Sequence, residues 1–328
     1  MNDELGEISN VNFTNNQFND IFADIKDESH QNYHNIKYFM LCLSICHSVF
    51  TKDIQNNNNK NILYQASSPD ELSLVSAARF FGFKFIKREV GNKLILKINN
   101  IFSEYIVTHI LEFTSDRKRM SVIVKCPEGR IYLFCKGADS IIKQLISEKI
   151  NLITRTEEYV KEFANFGLRT LMIAYKELQL KEYEEFDRIY QTEINKDNKN
   201  LNHVYDSIET SLNLLGSTGI EDQLQDEVEN TIYSFVEIGI KLWVLTGDKV
   251  GTAISIARSC NLFTKETEIL EVKENISEIE IENNLNNFND IISSKNEINN
   301  YGLVICSIEL TKIISNKKLT YIVNSFKW

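Results

Sequence analysis

Apolar residues cluster from Tyr33 to Val49 and end in the run YFMLCLSICHSVF at Tyr38–Phe50, which predicts a first ordered helix near Tyr33–Val49. A second helix opens at SPDE. Ser68 suits the N-cap, Pro69 the first helical position and Glu71 the third, where its side chain can close a capping box. Gly82 stops that helix. Strands follow at His109–Phe113, Met120–Lys125 and Arg130–Lys136, the last two joined by a Pro-Glu-Gly turn. Gly-Ala-Asp then starts a short helix. Thr154 to Glu157 reads as another capping box, opening a helix that ends by Gly167, and Leu168–Ala174 is a strand.

Farther on the pattern changes. Leu212–Leu215 and Ile240–Leu245 read as buried strands. Between them Leu224, Val228, Thr231, Ile232 and Phe235 share one helical face, and a further helix runs from about Val250 to Cys260. Strand–helix–strand–helix indicates a parallel sheet. The expectation is therefore an antiparallel α+β domain over residues 1–206 and a partial doubly wound α/β domain over 207–328. Asn- and Lys-rich stretches at 54–62, 193–202 and 273–300 read as solvated insertions, since such composition buries little apolar surface.

Composition narrows the classes of function. Hydrophobic residues make up 43% of the 328, enough for a core. The formal charge of −10 gives no reason to expect a nucleic-acid surface. The N-terminus MNDELGEISN is acidic and is not a signal peptide, and the run Tyr38–Phe50 is too short to span a bilayer. Six scattered cysteines without a CxxC pair read as free thiols. His30 with His34 and Cys42 with Cys46 are each spaced for one helix face and for zinc. The cysteines lie with Phe39, Leu43 and Val49, so buried thiols are the better reading and no metal site is assigned.

P-loop, dinucleotide and zinc-protease motifs are missing from the sequence. Several residues remain as candidates. Thr246-Gly-Asp248 sits between a strand and a helix, where open sheets bind ligands and a helix N-terminus attracts phosphate; capping alone also explains it. Glu71 reads locally as a capping-box residue. Phe113, beside the basic turn Ser115–Arg119, is either core or a platform for a base. Lys136, before a Gly turn, and Arg169, after Gly167, either face solvent or offer charge to phosphate.

Taken in order, Cys46-His-Ser-Val49, Ala66-Ser-Ser-Pro-Asp-Glu71, Arg117-Lys-Arg-Met-Ser-Val-Ile-Val124, Lys136-Gly-Ala-Asp139, Gly167-Leu-Arg-Thr-Leu171, Leu215-Gly-Ser-Thr-Gly-Ile-Glu-Asp222 and Trp243-Val-Leu-Thr-Gly-Asp-Lys249 resemble type IV P-type ATPases, the ATP-driven phospholipid flippases. The likeness covers about Phe18–Phe263 and, more faintly, Gly302–Leu319. It implies a nucleotide-binding domain followed by part of a haloacid dehalogenase-like phosphorylation domain, on the cytoplasmic face of a membrane in the complete protein. It implies that Phe113 stacks on adenine and Glu71 holds the base edge. Lys136 and Gly137 line the pocket, and Arg169 grips the polyphosphate. Thr246, Gly247 and Asp248 meet the γ-phosphate, with Glu221 and Asp222 on the phosphorylation side of the cleft.

The implied partners are ATP, a phospholipid, and the transmembrane and actuator segments, with room for an accessory subunit. Magnesium belongs to the complete enzyme, where an aspartate attacks the phosphate. The DKTGT segment bearing that aspartate and the GDGAND segment of the magnesium site do not occur in these 328 residues, so this chain alone is expected to be inactive. Thr114, Gln223 and Gly251 replace the usual Asn, Lys and Glu. The rivals are a non-pumping regulatory nucleotide module attached to another enzyme and an inactive truncated copy.

Overall fold

The computed structural model describes residues 29–30, 32–56, 59–147, 150–196, 201–221, 226–247, 250–294 and 301–325. They form two compact units, one from Thr170–Ile220 and the chain up to Val160, the other from Lys161–Arg169 and the chain from Glu221 onward.

The first unit is built on a seven-stranded sheet. It starts with helix α1 (Tyr33–Ile45), hairpin β1 (Phe50–Asn56) and β2 (Asn59–Gln65), and helix α2 (Pro69–Phe80). Strands β3 (Phe83–Glu89), β4 (Lys93–Ile98), β5 (Ile101–Leu111), β6 (Arg119–Lys125) and β7 (Ile131–Gly137) follow. Then come α3 (Asp139–Leu145), α4 (Ile150–Asn165), β8 (Arg169–Leu178), α5 (Leu180–Ile194), α6 (Asn202–Ile208) and β9 (Asn213–Ile220). The large sheet runs in order β3 to β9, and each pair from β3 to β8 is antiparallel.

Side chains alternate across a strand, and here both faces are covered. On β7, Tyr132 and Phe134 join a core with Leu41, Cys42 and Ile45 of α1 and Val75 and Ala78 of α2. Leu133 and Cys135 face a second core with Ile142 of α3, Val160 of α4, Phe186 of α5 and Val204 and Ile208 of α6. That double burial explains why β6 and β7 read as apolar runs despite being antiparallel. Cys42 and Cys46 are buried, with their thiols on the Cys135 and Met120 carbonyls at 4.0 and 3.6 Å. Burial first, then Cys46, pushes the Cys42 thiol well above its ordinary range.

The second unit contains α7 (Val228–Glu237), α8 (Val250–Ser259), β10 (Glu268–Val272), α9 (Glu278–Ser294), β11 (Tyr301–Ile305), α10 (Ser307–Ser315) and α11 (Lys317–Ser325). Strands β10 and β11 are parallel and joined through α9.

Several elements differ from the sequence pattern. Residues 273–300 are not a solvated insertion over their described part. Helix α9 places Ile281, Leu285 and Ile292 in a core with Leu270, Val272 and Leu319, because these isoleucines and leucine fall on one helical stripe hidden among asparagines. Leu285→Ala should cost the second unit about 2–5 kcal/mol, as large-to-small core changes do, and accelerate hydrogen exchange along α9. Unchanged exchange would restore the insertion reading. The stretch at 54–62 forms the β1–β2 hairpin, apart from 57–58, which lie outside the described residues. The stretch at 193–202 ends α5 and begins α6, with 197–200 outside them.

Leu212–Leu215 is not the start of a doubly wound sheet: β9 is the edge neighbour of β8 in the large sheet. Ile240–Leu245 is no buried strand. It joins no sheet among the described residues, its Ile240 amide turning back to the Phe235 carbonyl at 2.9 Å, and Trp243 and Leu245 are 66% and 81% exposed. The helix expected at Thr154 starts a turn earlier, at Ile150, and Gly167 ends its C-terminal turn at φ +79°. The doubly wound expectation for the second unit thus reduces to one parallel strand pair with helices among the described residues.

Candidate functional site

The end of α1 turns sharply at Cys46–Val49, and the imidazole of His47 sets the turn. Its Nδ1 accepts from the Val49 amide at 3.1 Å, so Nε2 carries the proton and donates to the Ser44 carbonyl at 2.9 Å. Arg88 of β3 donates to the His47 carbonyl at 3.1 Å. His47 is buried, and burial, assisted by the field of Lys136 and to a lesser extent Arg88, lowers its pKa to about 3 against the Ser44 bond and Glu71. The ring is therefore neutral.

Ser48, next in the turn, reaches Glu71. Ser68 caps α2 by accepting the Glu71 amide at 3.4 Å, but the Glu71 carboxylate does not complete the capping box. Oε2 accepts the Ser48 amide at 2.8 Å and the Ser48 hydroxyl at 2.5 Å, and Oε1 accepts the Lys136 ammonium at 2.7 Å. Lys136 comes from β7 on the same sheet face as Phe134. Burial alone would raise the Glu71 pKa; Lys136 and the two Ser48 bonds outweigh it and hold the carboxyl below its ordinary range. The sequence reading of Glu71 as a cap was local, and the partners that redirect it come from 23 and 65 residues away.

Phe113 follows β5 and is 60% exposed, which rules out the core role. Its turn is closed by the Lys118 amide on the Thr114 carbonyl at 2.8 Å and by the Arg117 amide on the Thr114 hydroxyl at 3.2 Å, a bond threonine can accept as well as asparagine. The Ala138 amide donates to the Lys118 carbonyl at 3.0 Å, tying this turn to the end of β7. Gly137 is needed there: a Cβ would stand 2.6 Å from Arg119 Cβ and 2.7 Å from the Lys118 carbonyl oxygen. Phe113, Lys136 and Gly137 thus belong to one end of the sheet, where β5 and β7 finish and β6 begins.

The basic turn does not present all its charge outward. Arg117 and Arg119 are buried and clamp Glu209, which is fully buried at the end of α6. Arg117 Nη2 lies 2.6 Å from Oε1 and Arg119 Nε 2.7 Å from Oε2; Ser121 donates to Oε1 at 2.5 Å and Arg119 also pairs with Asp206 at 2.5 Å. Arg117 stacks 4.8 Å above the Tyr205 ring. Glu209 carried no motif; only its charge, some ninety residues from the arginines, hinted at the pairing.

Arg169, Glu221, Thr246 and Gly247 fall in the second unit. Arg169 begins β8, and Glu221, Thr246 and Gly247 are exposed. Asp222 and Asp248 lie outside the described residues. Among the described residues, no group of three or more His, Cys, Asp or Glu is placed to hold a metal, and no helix is long and apolar enough to cross a membrane.

An antiparallel sheet sandwiched by helices, with an exposed aromatic ring and a shielded lysine–glutamate pair, defines an α+β domain with its chemistry near one sheet end. Residues 35–227 match the family described as P-type ATPase, cytoplasmic domain N, and the chain belongs to that family. The phospholipid-transporting ATPase IC of Xenopus tropicalis is 43% identical over 71% of this chain and 18% of its own length. The phospholipid-transporting ATPases DNF1 and DRS2 of Saccharomyces cerevisiae are 45% and 37% identical over 72% and 88% of this chain, and 16% and 22% of their own. The chain therefore spans about a fifth of the length of the curated relatives it matches.

Proposed function

We propose that this chain is the ATP-binding cytoplasmic portion of an ATP-driven phospholipid-translocating P-type ATPase. The observation that carries the reading is the exposed Phe113 ring, held by a closed turn on a domain whose relatives are named phospholipid-transporting ATPases. The donor set fits an adenine nucleotide. Phe113 offers an apolar face for stacking. Glu71 Oε1 retains an acceptor position for an amino group, and Lys136 supplies positive charge beside it.

In this reading Gly137 lets the backbone pack closely, and Arg169 grips the polyphosphate. Thr246, Gly247 and Asp248 meet the γ-phosphate, and Glu221 with Asp222 stands on the phosphorylation side. The phosphate would pass to an aspartate outside these 328 residues, and the phospholipid would be handled by segments also outside them. The second unit would form part of the doubly wound phosphorylation domain. Magnesium would neutralise phosphate charge when bound; the described residues supply no cluster for it, so no step is assigned to it.

Replacing Phe113 with alanine should weaken ATP binding by ~1–3 kcal/mol, the worth of one stacked base, while thermal unfolding stays unchanged. Calorimetric titration and a melting curve on the same variant check both halves. An unfolded variant, or undiminished affinity, would reject the stacking role.

A further inference from the structure

The geometry points to Ser48 as a positioning residue that sets base selectivity by occupying one oxygen of the Glu71 carboxylate. The inference rests on the adenine-nucleotide reading above. A carboxylate has two oxygens, each with about two acceptor positions. Both positions on Oε2 are filled by Ser48, through its amide at 2.8 Å and its hydroxyl at 2.5 Å. One position on Oε1 is filled by Lys136 at 2.7 Å. A single acceptor position remains, on Oε1.

That vacancy suits a base presenting one donor at its edge. Adenine does so with its 6-amino group. Guanine offers adjacent donors on N1 and its 2-amino group, which pair best with a carboxylate whose two oxygens are both open. At the 6-position it offers a carbonyl, which a carboxylate repels. Ser48 therefore favours adenine in two ways: it orients Oε1 and it blocks the bidentate alternative.

The serine is itself held. His47 bonds to both flanks of the turn, through the Ser44 carbonyl and the Val49 amide, and Arg88 ties the His47 carbonyl to β3. The ionisable groups acting on Glu71 or its turn are Lys136 from β7, Arg88 from β3 and neutral His47 from the turn. Ser48 is exposed, so removing its hydroxyl opens no cavity in the core.

The test compares the full chain with Ser48→Ala and Ser48→Thr. In calorimetric titrations with ATP and with GTP, Ser48→Ala should lower the ATP-over-GTP affinity ratio about tenfold, the worth of the one extra hydrogen bond that guanine gains once a position on Oε2 is open. GTP binding should stay the same or tighten, and Ser48→Thr should restore the preference for ATP. Independently of any nucleotide, carbon-13 titration of the Glu71 carboxyl should move upward in pH in Ser48→Ala and return in Ser48→Thr. An equal loss for ATP and GTP, or an unmoved Glu71 titration, overturns the positioning role while leaving the nucleotide reading intact. No binding of ATP by the folded wild-type chain at millimolar concentration overturns the nucleotide reading and base selection with it.

Discussion

Glu209→Ala is expected to destabilise the first unit by about 3–5 kcal/mol, the cost of removing one partner from a buried ion pair. Glu209 is 0% exposed and receives Arg117, Arg119 and Ser121. Without its carboxylate, two guanidinium groups stay inside with little to compensate them. Arg119 keeps Asp206, but that partner is 60% exposed and screened by water. Arg117 keeps the Glu112 carbonyl at 2.6 Å and the Tyr205 face. Burying charge without a partner dominates these remnants.

The loss reflects stranded charge more than any large net value of the intact cluster. An apolar triple substitution, Arg117→Leu with Arg119→Met and Glu209→Leu, should therefore lose much less than Glu209→Ala alone. Urea unfolding followed by far-UV circular dichroism would compare the two. A loss under about 1 kcal/mol for Glu209→Ala would place the pair in the class of surface salt bridges.

The sheet end was partly legible in the sequence, and the reason differs from residue to residue. The SPDE start, the Pro-Glu-Gly turn and the strands on either side are local signals, and α2, β6 and β7 form where those signals place them. Phe113 is set apart from the core by its exposure, which a strand-end position in the sequence does not reveal. Glu71 misled because the capping box is a local rule, and Ser48 and Lys136 reach it across the chain. Helix α9 was hidden by composition: counting asparagines obscures a stripe of three apolar side chains at Ile281, Leu285 and Ile292. Ile240–Leu245 failed in the opposite sense. Its apolar run has the composition of a buried strand, but a strand also needs neighbours, and it joins no sheet among the described residues.

Acidification should destabilise the first unit well before its carboxylates titrate, and His47 is the main cause. Its pKa is lowered from 6.5 to about 3 by burial first, aided by Lys136 and Arg88. A group whose folded pKa is depressed contributes stability that is complete above its unfolded pKa. That stability is lost as pH falls towards the folded value, since the unfolded chain takes up a proton that the folded chain refuses. For His47 the window opens near pH 6.5 and closes near pH 3. At 1.36 kcal/mol per unit, the whole window is worth about 4–5 kcal/mol, of which about 2 fall between pH 6.5 and pH 5. His109 acts in the same direction. Burial lowers it, opposed by its bond to Asp187 at 3.1 Å, so the wild-type slope contains both histidines. Glu71 enters later, because its depressed pKa costs stability only below the ordinary glutamate range. His47→Gln removes the titration while keeping a polar side chain in the turn. Urea midpoints measured from pH 7 to pH 5 should fall steeply in wild type and more gently in His47→Gln, with His109→Gln separating the second contribution. Parallel slopes in wild type and His47→Gln would show that the folded protein protonates His47 at no cost, and that its burial does not hold the ring neutral.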